Sequence, residues 1–238
     1  MLLGLKTKML SIVTINKNNY AGLEQTIASL KLVTKRDFQW VCIDGKSTDG
    51  SVLLAQRFAQ ASDVIVSEGD SGIYAAMNKG VIQAHGEQIL FLNSGDILVP
   101  ISSIEQLHLD AHIDLSLFGF QIRQQFRKPR PNFWRFWSMP TSHQSIIYLR
   151  SLLLAEPFDE RYRFAADFEH YLRVCRRPIR IKRSSYILSI NESYGSDAHL
   201  PKLLQEYREA LLANGAPLWW ANAVYRLKTH YLPRVLPK

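Results

Sequence analysis

The stretch LSIVTINKNNYAGLEQTIASLKLVTKRDFQWVCID, residues 10–44, reads as a strand, a helix and a second strand. Its first seven residues, Leu10 to Asn16, are β-branched and apolar. Asn18 and Asn19 then offer a helix cap, and Leu23, Ile27 and Leu30 recur on one helical face. FQWVCID, Phe38 to Asp44, has the pattern of a second buried strand. The alternation continues downstream. GKSTDGS turns the chain into a helix through Leu53, Leu54 and Phe58, and DVIVS, from Asp63, is a third strand. Gly72 opens a helix from about Ile73 to Ala84, and QILFLN, Gln88 to Asn93, is a fourth strand that ends on Ser94, Gly95 and Asp96. Strands and helices alternating in this way, with no internal repeat, predict an α/β fold made of βαβ units. Ligands of open α/β sheets bind beyond the carboxyl ends of the strands, where Asn16, Asp44 and Asp96 would lie.

Composition narrows the class. The 238 residues suffice for one sizeable α/β domain. A 47% apolar content and a mean hydropathy of −0.11 describe a globular chain, and no apolar run approaches the roughly 20 residues of a spanning helix. The N-terminal MLLGLKTKML lacks the order of a secretory signal, so a cytoplasmic protein is expected, with Cys42 and Cys175 as reduced, packed thiols. The net charge of +8 is uneven: residues 1–120 carry 9 Lys/Arg against 12 Asp/Glu, residues 121–238 carry 20 against 9. The basic half suits an acidic partner, which could be nucleic acid, an anionic membrane surface or a diphosphate-bearing lipid.

Four motifs in order, LSIVTIN, VCIDGKSTDGS, SEGDSGIYAAMNKG and ILFLNSGDIL, resemble the nucleotide-binding half of family-two glycosyltransferases. The resemblance extends to HQS at His143 to Ser145, to AADFEHYLR at Ala165 to Arg173 and to a Gly195-Ser-Asp segment before a final amphipathic helix. Within the family the chain looks most like enzymes of colanic-acid-type exopolysaccharide assembly. The resemblance implies a GT-A fold, a nucleoside-diphosphate-sugar donor, a divalent cation (Mg²⁺ or Mn²⁺) and inversion at the anomeric carbon. It divides the chain into a nucleotide-sugar half at about 9–120, an acceptor half with a mixed sheet at about 121–200 and C-terminal amphipathic helices at about 201–238.

Residue by residue, the resemblance implies roles that compete with plainer ones. Asp44 matches an acid that binds the nucleoside, and as an exposed strand-end carboxylate it should serve ligand rather than packing; alone it could be a turn or cap residue. Thr14 and Asn16 match positions lining the nucleoside pocket, although a strand Thr is ordinarily sheet packing. Ser47, Thr48 and Asp49 read as caps. Asp70 and Asn78 would stand beside the diphosphate, near the helix opened by Gly72, with Lys79 a solvated side chain. Gly95 and Asp96 occupy the place of the metal-binding acidic motif; Asn93 and Gly95 stand where many relatives carry acids, leaving Asp96 with substrate phosphates and waters to hold the cation. Asp167 matches the catalytic base, or caps its helix. Glu169, His143 and Gln144 are secondary contacts to acceptor, diphosphate or metal.

RKPRPNFWRFW, Arg127 to Trp137, and PLWWANAVYRLKTHYLPR, Pro217 to Arg234, interleave aromatic and basic residues in a way that suits a bilayer headgroup region. The plainer reading is a packed aromatic helix with a basic outer face. The expected acceptor is a saccharide or a polyprenyl-diphosphate-linked saccharide, and the expected place is the inner face of a bacterial membrane. Two other classes compete. A nucleotidyltransferase would want a glycine-rich phosphate loop near the first strand, which TINKNNYAG is not. A nucleic-acid-binding protein would leave Asp44, Asp96 and Asp167 unexplained, since acids repel phosphate.

Overall fold

The computed structural model describes residues 10–101, 103–122, 124–191 and 199–235; the N-terminal nine residues and the Gly195-Ser-Asp segment lie outside them. LSIVTIN forms β1 (Leu10–Asn16), FQWVCID forms β2 (Phe38–Asp44), VIVS forms β3 (Val64–Ser67) and QILF forms β4 (Gln88–Phe91). All four run parallel in the order β3-β2-β1-β4. The intervening helices are α1 (Tyr20–Lys31), α2 (Ser51–Phe58) and α3 (Ile73–Gln83), and Asn19 caps α1 by accepting from Gly22 N. The fourth strand was expected to reach Asn93. Regular pairing stops at Phe91, yet Leu92 N still donates to Val13 O and Ser94 N to Ile15 O, so the chain stays fixed alongside β1.

Alternation along the strands divides the core. Val13, Ile15, Val41, Ile43, Ile89 and Phe91 face α3, whereas Leu10, Ile12, Trp40, Cys42 and Leu90 face α1 and α2. Burial of each large apolar side chain stabilises by about 1.5–3 kcal/mol. Helix α3 lies close on β1 because Gly80 faces Val13: a Cβ there would sit 2.4 Å from Val13 Cγ1.

The second half extends the same sheet with mixed polarity. It adds β5 (Ile97–Leu98), β6 (Leu115–Ile122), β7 (Gln125–Arg127), β8 (Ile146–Leu149) and β9 (Ile181–Asn191). The order continues β4-β8-β6-β9-β5, with β8 antiparallel to both β4 and β6, and β7 returning on β6 as a hairpin. The α/β architecture, with a mixed sheet in the second half, is therefore as expected.

Helices α4 (Arg150–Ala155), α5 (Ala166–Val174), α6 (Leu200–Ala213) and α7 (Leu218–Val235) complete the fold. The last three share a core of Ala165, Phe168, Leu172, Leu211, Ala221 and Val224, and the Phe168 and Tyr207 rings stack at 4.1 Å. Asp167 is not the cap of α5. The N-cap position of that helix is Ala165, which has no side-chain cap to offer, and Glu206 of α6 accepts from the N–H groups of Arg163, Phe164 and Ala165 at 2.7–2.9 Å. A carboxylate at a helix N-terminus satisfies orphan donors and meets the positive end of the dipole, so α6 holds the loop ahead of Asp167. Among the described residues, no helix is long and apolar enough to cross a membrane.

Candidate functional site

The strand order reverses between β1 and β4, and the crevice at their carboxyl ends is a cleft of about 400 Å³. It is lined by Ile15, Asn16, Lys17 and Asn19 after β1, Asn93 and Ser94 after β4, and Asp70 to Ile73 ahead of α3. Parallel strands force this: both β1 and β4 must end at the same edge, where their connections diverge to opposite faces.

At one side stand Asn16 and Asp44, opposite each other in the β1–β2 register. Asp44 corrects the expectation of an exposed carboxylate. It is 1% exposed and accepts four hydrogen bonds: from Asn16 Nδ2 (2.9 Å), Ser47 N (2.8 Å), Ser47 Oγ (2.6 Å) and Ser67 Oγ (2.8 Å). Burial alone would raise its pKa, but the donors from Ser47, Asn16 and Ser67 together outweigh burial and hold the carboxyl below its ordinary value. Asp44 thus fixes Asn16. The Asn16 side-chain oxygen is buried with no hydrogen-bond partner in the protein, on a residue that lines the cleft. A buried acceptor left open in this way is costly unless a ligand donor meets it. Thr14 does not line the cleft. It is fully buried, and its hydroxyl accepts from Trp40 Nε1 at 2.9 Å, so it belongs to sheet packing.

Across the cleft, Asn93 to Asp96 form a tight turn. Gly95 supplies a positive φ of 102°, and its N–H is already taken by Gly22 O and Thr26 Oγ1, so it shapes the turn rather than contacting ligand. Asp96 accepts from Asn93 N at 3.1 Å and from Gln144 Nε2 at 3.2 Å. Burial raises its pKa, opposed by His143 and these hydrogen bonds. Gln144 is anchored in turn by Asn191 Nδ2 at 3.0 Å.

His143 links the two halves. Its Nε2 lies 3.3 Å from Asn93 Nδ2, and its Nδ1 lies 3.7 Å from Asp167 Oδ2. The other oxygen of Asp167 accepts from Tyr74 OH at 3.0 Å and from Phe168 N at 2.8 Å. Burial, reinforced by the charge of Asp167, raises the Tyr74 phenol well above its ordinary value, so it remains a donor. Asp167 Oδ1 is thereby held by two donors while Oδ2 faces His143.

Two expected contacts, Asn78 and Glu169, are drawn elsewhere, and Lys79, expected to be solvated, is paired. Asn78 uses its amide to pin α3 to the loop before α5, donating to Phe158 O (2.9 Å) and accepting from Phe158 N (3.0 Å). Lys79 pairs with Glu68 at 2.6 Å rather than standing free. Glu169 is buried and chelated by Arg173, one turn on, at 2.9 Å. Asp70 does line the cleft and accepts from Gly72 N at 3.0 Å. Of the expected caps, Asp49 accepts from the first N–H groups of α1 and α2, Tyr20 N and Ser51 N, whereas Ser47 turns its N–H and hydroxyl onto Asp44 and the N-cap position of α2 is Gly50. The sequence reading missed Tyr74 and Glu206, whose partners lie 93 and 41–43 residues away.

A divalent cation fits this turn. Among the described residues no group of three or more His, Cys, Asp or Glu could form a closed cage. Asn93, whose backbone N–H donates to the Asp96 carboxylate, has its Oδ1 buried without a hydrogen-bond partner. One carboxylate with an open amide oxygen suits a cation that keeps its remaining positions for phosphate and water.

Residues 11–171 match the family model described as Glycosyl transferase family 2. A PGL/p-HBAD biosynthesis glycosyltransferase of Mycobacterium bovis is 30% identical over 204 residues, covering 79% of this chain and 78% of the relative. Two solved structures share the fold. Staphylococcus aureus TarS (residues 1–349), in complex with UDP-GlcNAc, has a TM-score of 0.66 at 17% identity, over 94% of this chain and 72% of that one. The mannosyltransferase PcManGT from Pyrobaculum calidifontis, in complex with GDP-Man and Mn²⁺, has a TM-score of 0.66 at 15% identity, over 94% and 75%.

The Asp44 network predicts a pH signature. A carboxyl whose folded pKa is lowered contributes stability that is present above the unfolded value, about 4, and is lost as pH falls through the folded value. Asp44→Asn should cost on the order of 1–3 kcal/mol near neutrality, with the gap to wild type narrowing below about pH 4. Urea titrations across that range should show the convergence; a constant gap would mean that the charge of Asp44 contributes nothing.

Proposed function

Because this chain belongs to glycosyl transferase family 2, and so is a glycosyltransferase acting on a nucleoside-diphosphate-sugar donor, we propose that it inverts the anomeric carbon with Asp167 as general base. The observation that carries the reading is the constraint on Asp167: Tyr74 and Phe168 hold one carboxylate oxygen, and the second faces His143, which in turn contacts the cleft-lining Asn93. An acceptor hydroxyl is a weak nucleophile until its proton is removed, and a carboxylate ionised near neutral pH can take it within hydrogen-bond reach. Asn16 with its buried partner Asp44 would receive the nucleoside, and Asp70 and the Gly72 backbone would border the diphosphate. Asp96 and the Asn93 oxygen would hold a divalent cation, which when bound neutralises charge on the departing diphosphate. Complexes of the fold neighbours with UDP-GlcNAc and with GDP-Man and Mn²⁺ support this donor and cation class. The family match displaces the nucleotidyltransferase alternative.

The proposed acceptor is a saccharide or lipid-linked saccharide of bacterial surface or exopolysaccharide assembly. The relatives named for PGL/p-HBAD biosynthesis widen that setting beyond the colanic-acid type. Membrane association is part of the proposal, with a narrower basis than the sequence suggested. Trp220 donates to Phe136 O at 3.0 Å, and Lys228 sits over the Tyr207 ring at 4.4 Å, where burial pushes its pKa down to about 7, so these partly buried residues are engaged within the protein. Trp219, Leu227 and Tyr231, at helical spacing on α7, are 57–69% exposed and adjoin Arg226. Phe133 and Trp134 are exposed as well. Aromatic and basic residues arranged like this favour an anionic interface.

Asp167→Asn keeps the side-chain size but removes the base; turnover should fall by about two to four orders of magnitude with donor binding intact. Glu169→Gln should act on stability instead, since Glu169 is committed to Arg173. Near-normal turnover in Asp167→Asn would remove the proposed base. In a separate assay, wild-type protein should sediment with phosphatidylglycerol-containing vesicles at moderate salt, and the double variant Trp219→Ala, Tyr231→Ala should be released. Failure of wild type to sediment would refute membrane docking.

A further inference from the structure

Residues 115–155 carry six Lys/Arg and residues 210–238 carry four, and neither stretch contains an Asp or Glu. The fold brings these acid-free stretches together. Trp220 of α7 donates to Phe136 O at 3.0 Å, and Lys228 Nζ lies 5.6 Å from the centre of the Trp137 ring and 4.4 Å from that of Tyr207. Arg130, ahead of Trp137 in the same loop, donates from its guanidinium to the hydroxyl of Ser138, the residue after Trp137. Lys228 and Arg130 thus meet at one seam between this loop, α6 and α7, and neither makes an ion pair among the described residues. We propose that Lys228 and Arg130 form a binding site for the phosphate of an anionic lipid headgroup. The proposal deepens the membrane-docking part of the proposed function and rests on it.

Electrostatics argue for an anion. Aromatic faces attract an ammonium but leave its charge in place, and a second cation nearby adds repulsion. Burial, together with the charge of Arg130, holds the Lys228 pKa down at about 7. An anion seated between the two side chains relieves both penalties. A phosphate suits the pair, because an ammonium binds it as a point charge and a guanidinium as a fork. Arg130 has five N–H donors on its guanidinium, of which Ser138 occupies one. The main chain at this position is fixed in advance: Arg130 N donates to Pro140 O at 2.7 Å, and Arg130 O accepts from Arg183 Nε at 3.4 Å. Such preorganisation lowers the entropy lost on binding.

The surroundings identify the source of the phosphate. Phe133 and Trp134 in the loop, and Trp219, Leu227 and Tyr231 on α7, are 45–74% exposed. Leu227 precedes Lys228 and Tyr231 follows it by three residues, so the cation sits among side chains that favour a bilayer interface. A free phosphate would leave these side chains in water, whereas a lipid brings glycerol and acyl chains against them. Arg183, bonded to Arg130, and Arg226 on α7 are also exposed and attract an anionic leaflet. None of these residues lines the cleft proposed for the nucleotide, so the two sites can be read separately.

The test uses the intact chain. Wild type should sediment with phosphatidylglycerol-containing vesicles at moderate salt and not with pure phosphatidylcholine. Calorimetry with dihexanoyl phosphatidylglycerol, kept monomeric, should show binding at least tenfold tighter than inorganic phosphate. Lys228→Met and Arg130→Gln should each weaken that lipid about tenfold or more and reduce sedimentation. Lys31→Gln and Arg57→Gln, which each remove one exposed charge from α1 or α2, should change neither. Arg130 lies on the surface, so its variant remains informative even if the Lys228 variant misfolds. Wild type that sediments without binding the monomeric lipid, lipid affinity that survives both substitutions, or an equal loss in the controls would overturn the headgroup site while leaving membrane docking standing. Inorganic phosphate binding as tightly as the lipid would overturn the lipid as its source. If wild type failed to sediment with the anionic vesicles, membrane docking would fall and this proposal with it.

Discussion

Two backbone hydrogen bonds past the end of β4, Leu92 N to Val13 O and Ser94 N to Ile15 O, hold the turn at Asn93 to Asp96 against the end of β1. Every functional feature of the molecule depends on that juxtaposition. Because β1 is the strand about which the sheet order reverses, its neighbours' connections leave to opposite faces and a crevice must open there. Close packing keeps the crevice narrow: α3 approaches β1 across Gly80, which brings the Asp70 to Ile73 segment over the strand ends. The main energetic support lies in the apolar layers on both faces of the sheet, and polar groups at the edge are free to be arranged for binding.

The polar arrangement consists of two connected chains. One runs from Asn191 through Gln144 to Asp96; the other runs from Asn93 through His143 to Asp167 and Tyr74. They originate on strands, turns and helices from both halves of the sequence, so neither half carries a complete site. Side chains held in this way lose little freedom when a ligand binds, and partly buried groups interact more strongly than they would in water. Two of the buried side-chain oxygens without partners among the described residues, on Asn16 and Asn93, lie on cleft-lining residues, where donor and cation are proposed to bind.

Much of the fold was legible because it follows from period. The alternation in LSIVTIN and FQWVCID and the turn residues between strands determined the first four strands and three helices. Asn16 and Asp70 line the cleft, and Asp96, Gln144, His143 and Asp167 are joined to the cleft-lining Asn93 through successive contacts, because their motifs sit at element ends. What failed has a common cause. Thr14, Asn78 and Gly95 sit in the expected motifs, but which partner a polar group finds is decided by packing between distant segments, as Trp40, Phe158 and Gly22 show. Asp44 was misread as exposed because nothing in DGKSTDG discloses that Ser67, 23 residues on, would close over it. Glu169 was the legible exception: its spacing of four from Arg173 was a visible ion-pair signal on a helix.

The central claim is that the switch-point cleft holds a nucleoside diphosphate through Asn16. It is tested most directly by calorimetric titration of UDP, GDP and dTDP into wild type and Asn16→Ala, with and without Mn²⁺. The account predicts that at least one nucleotide binds wild type, more tightly with Mn²⁺, and that Asn16→Ala weakens it by about tenfold or more through loss of a buried acceptor. Equal affinity in the folded variant, or no binding to wild type by any of the three, would contradict it.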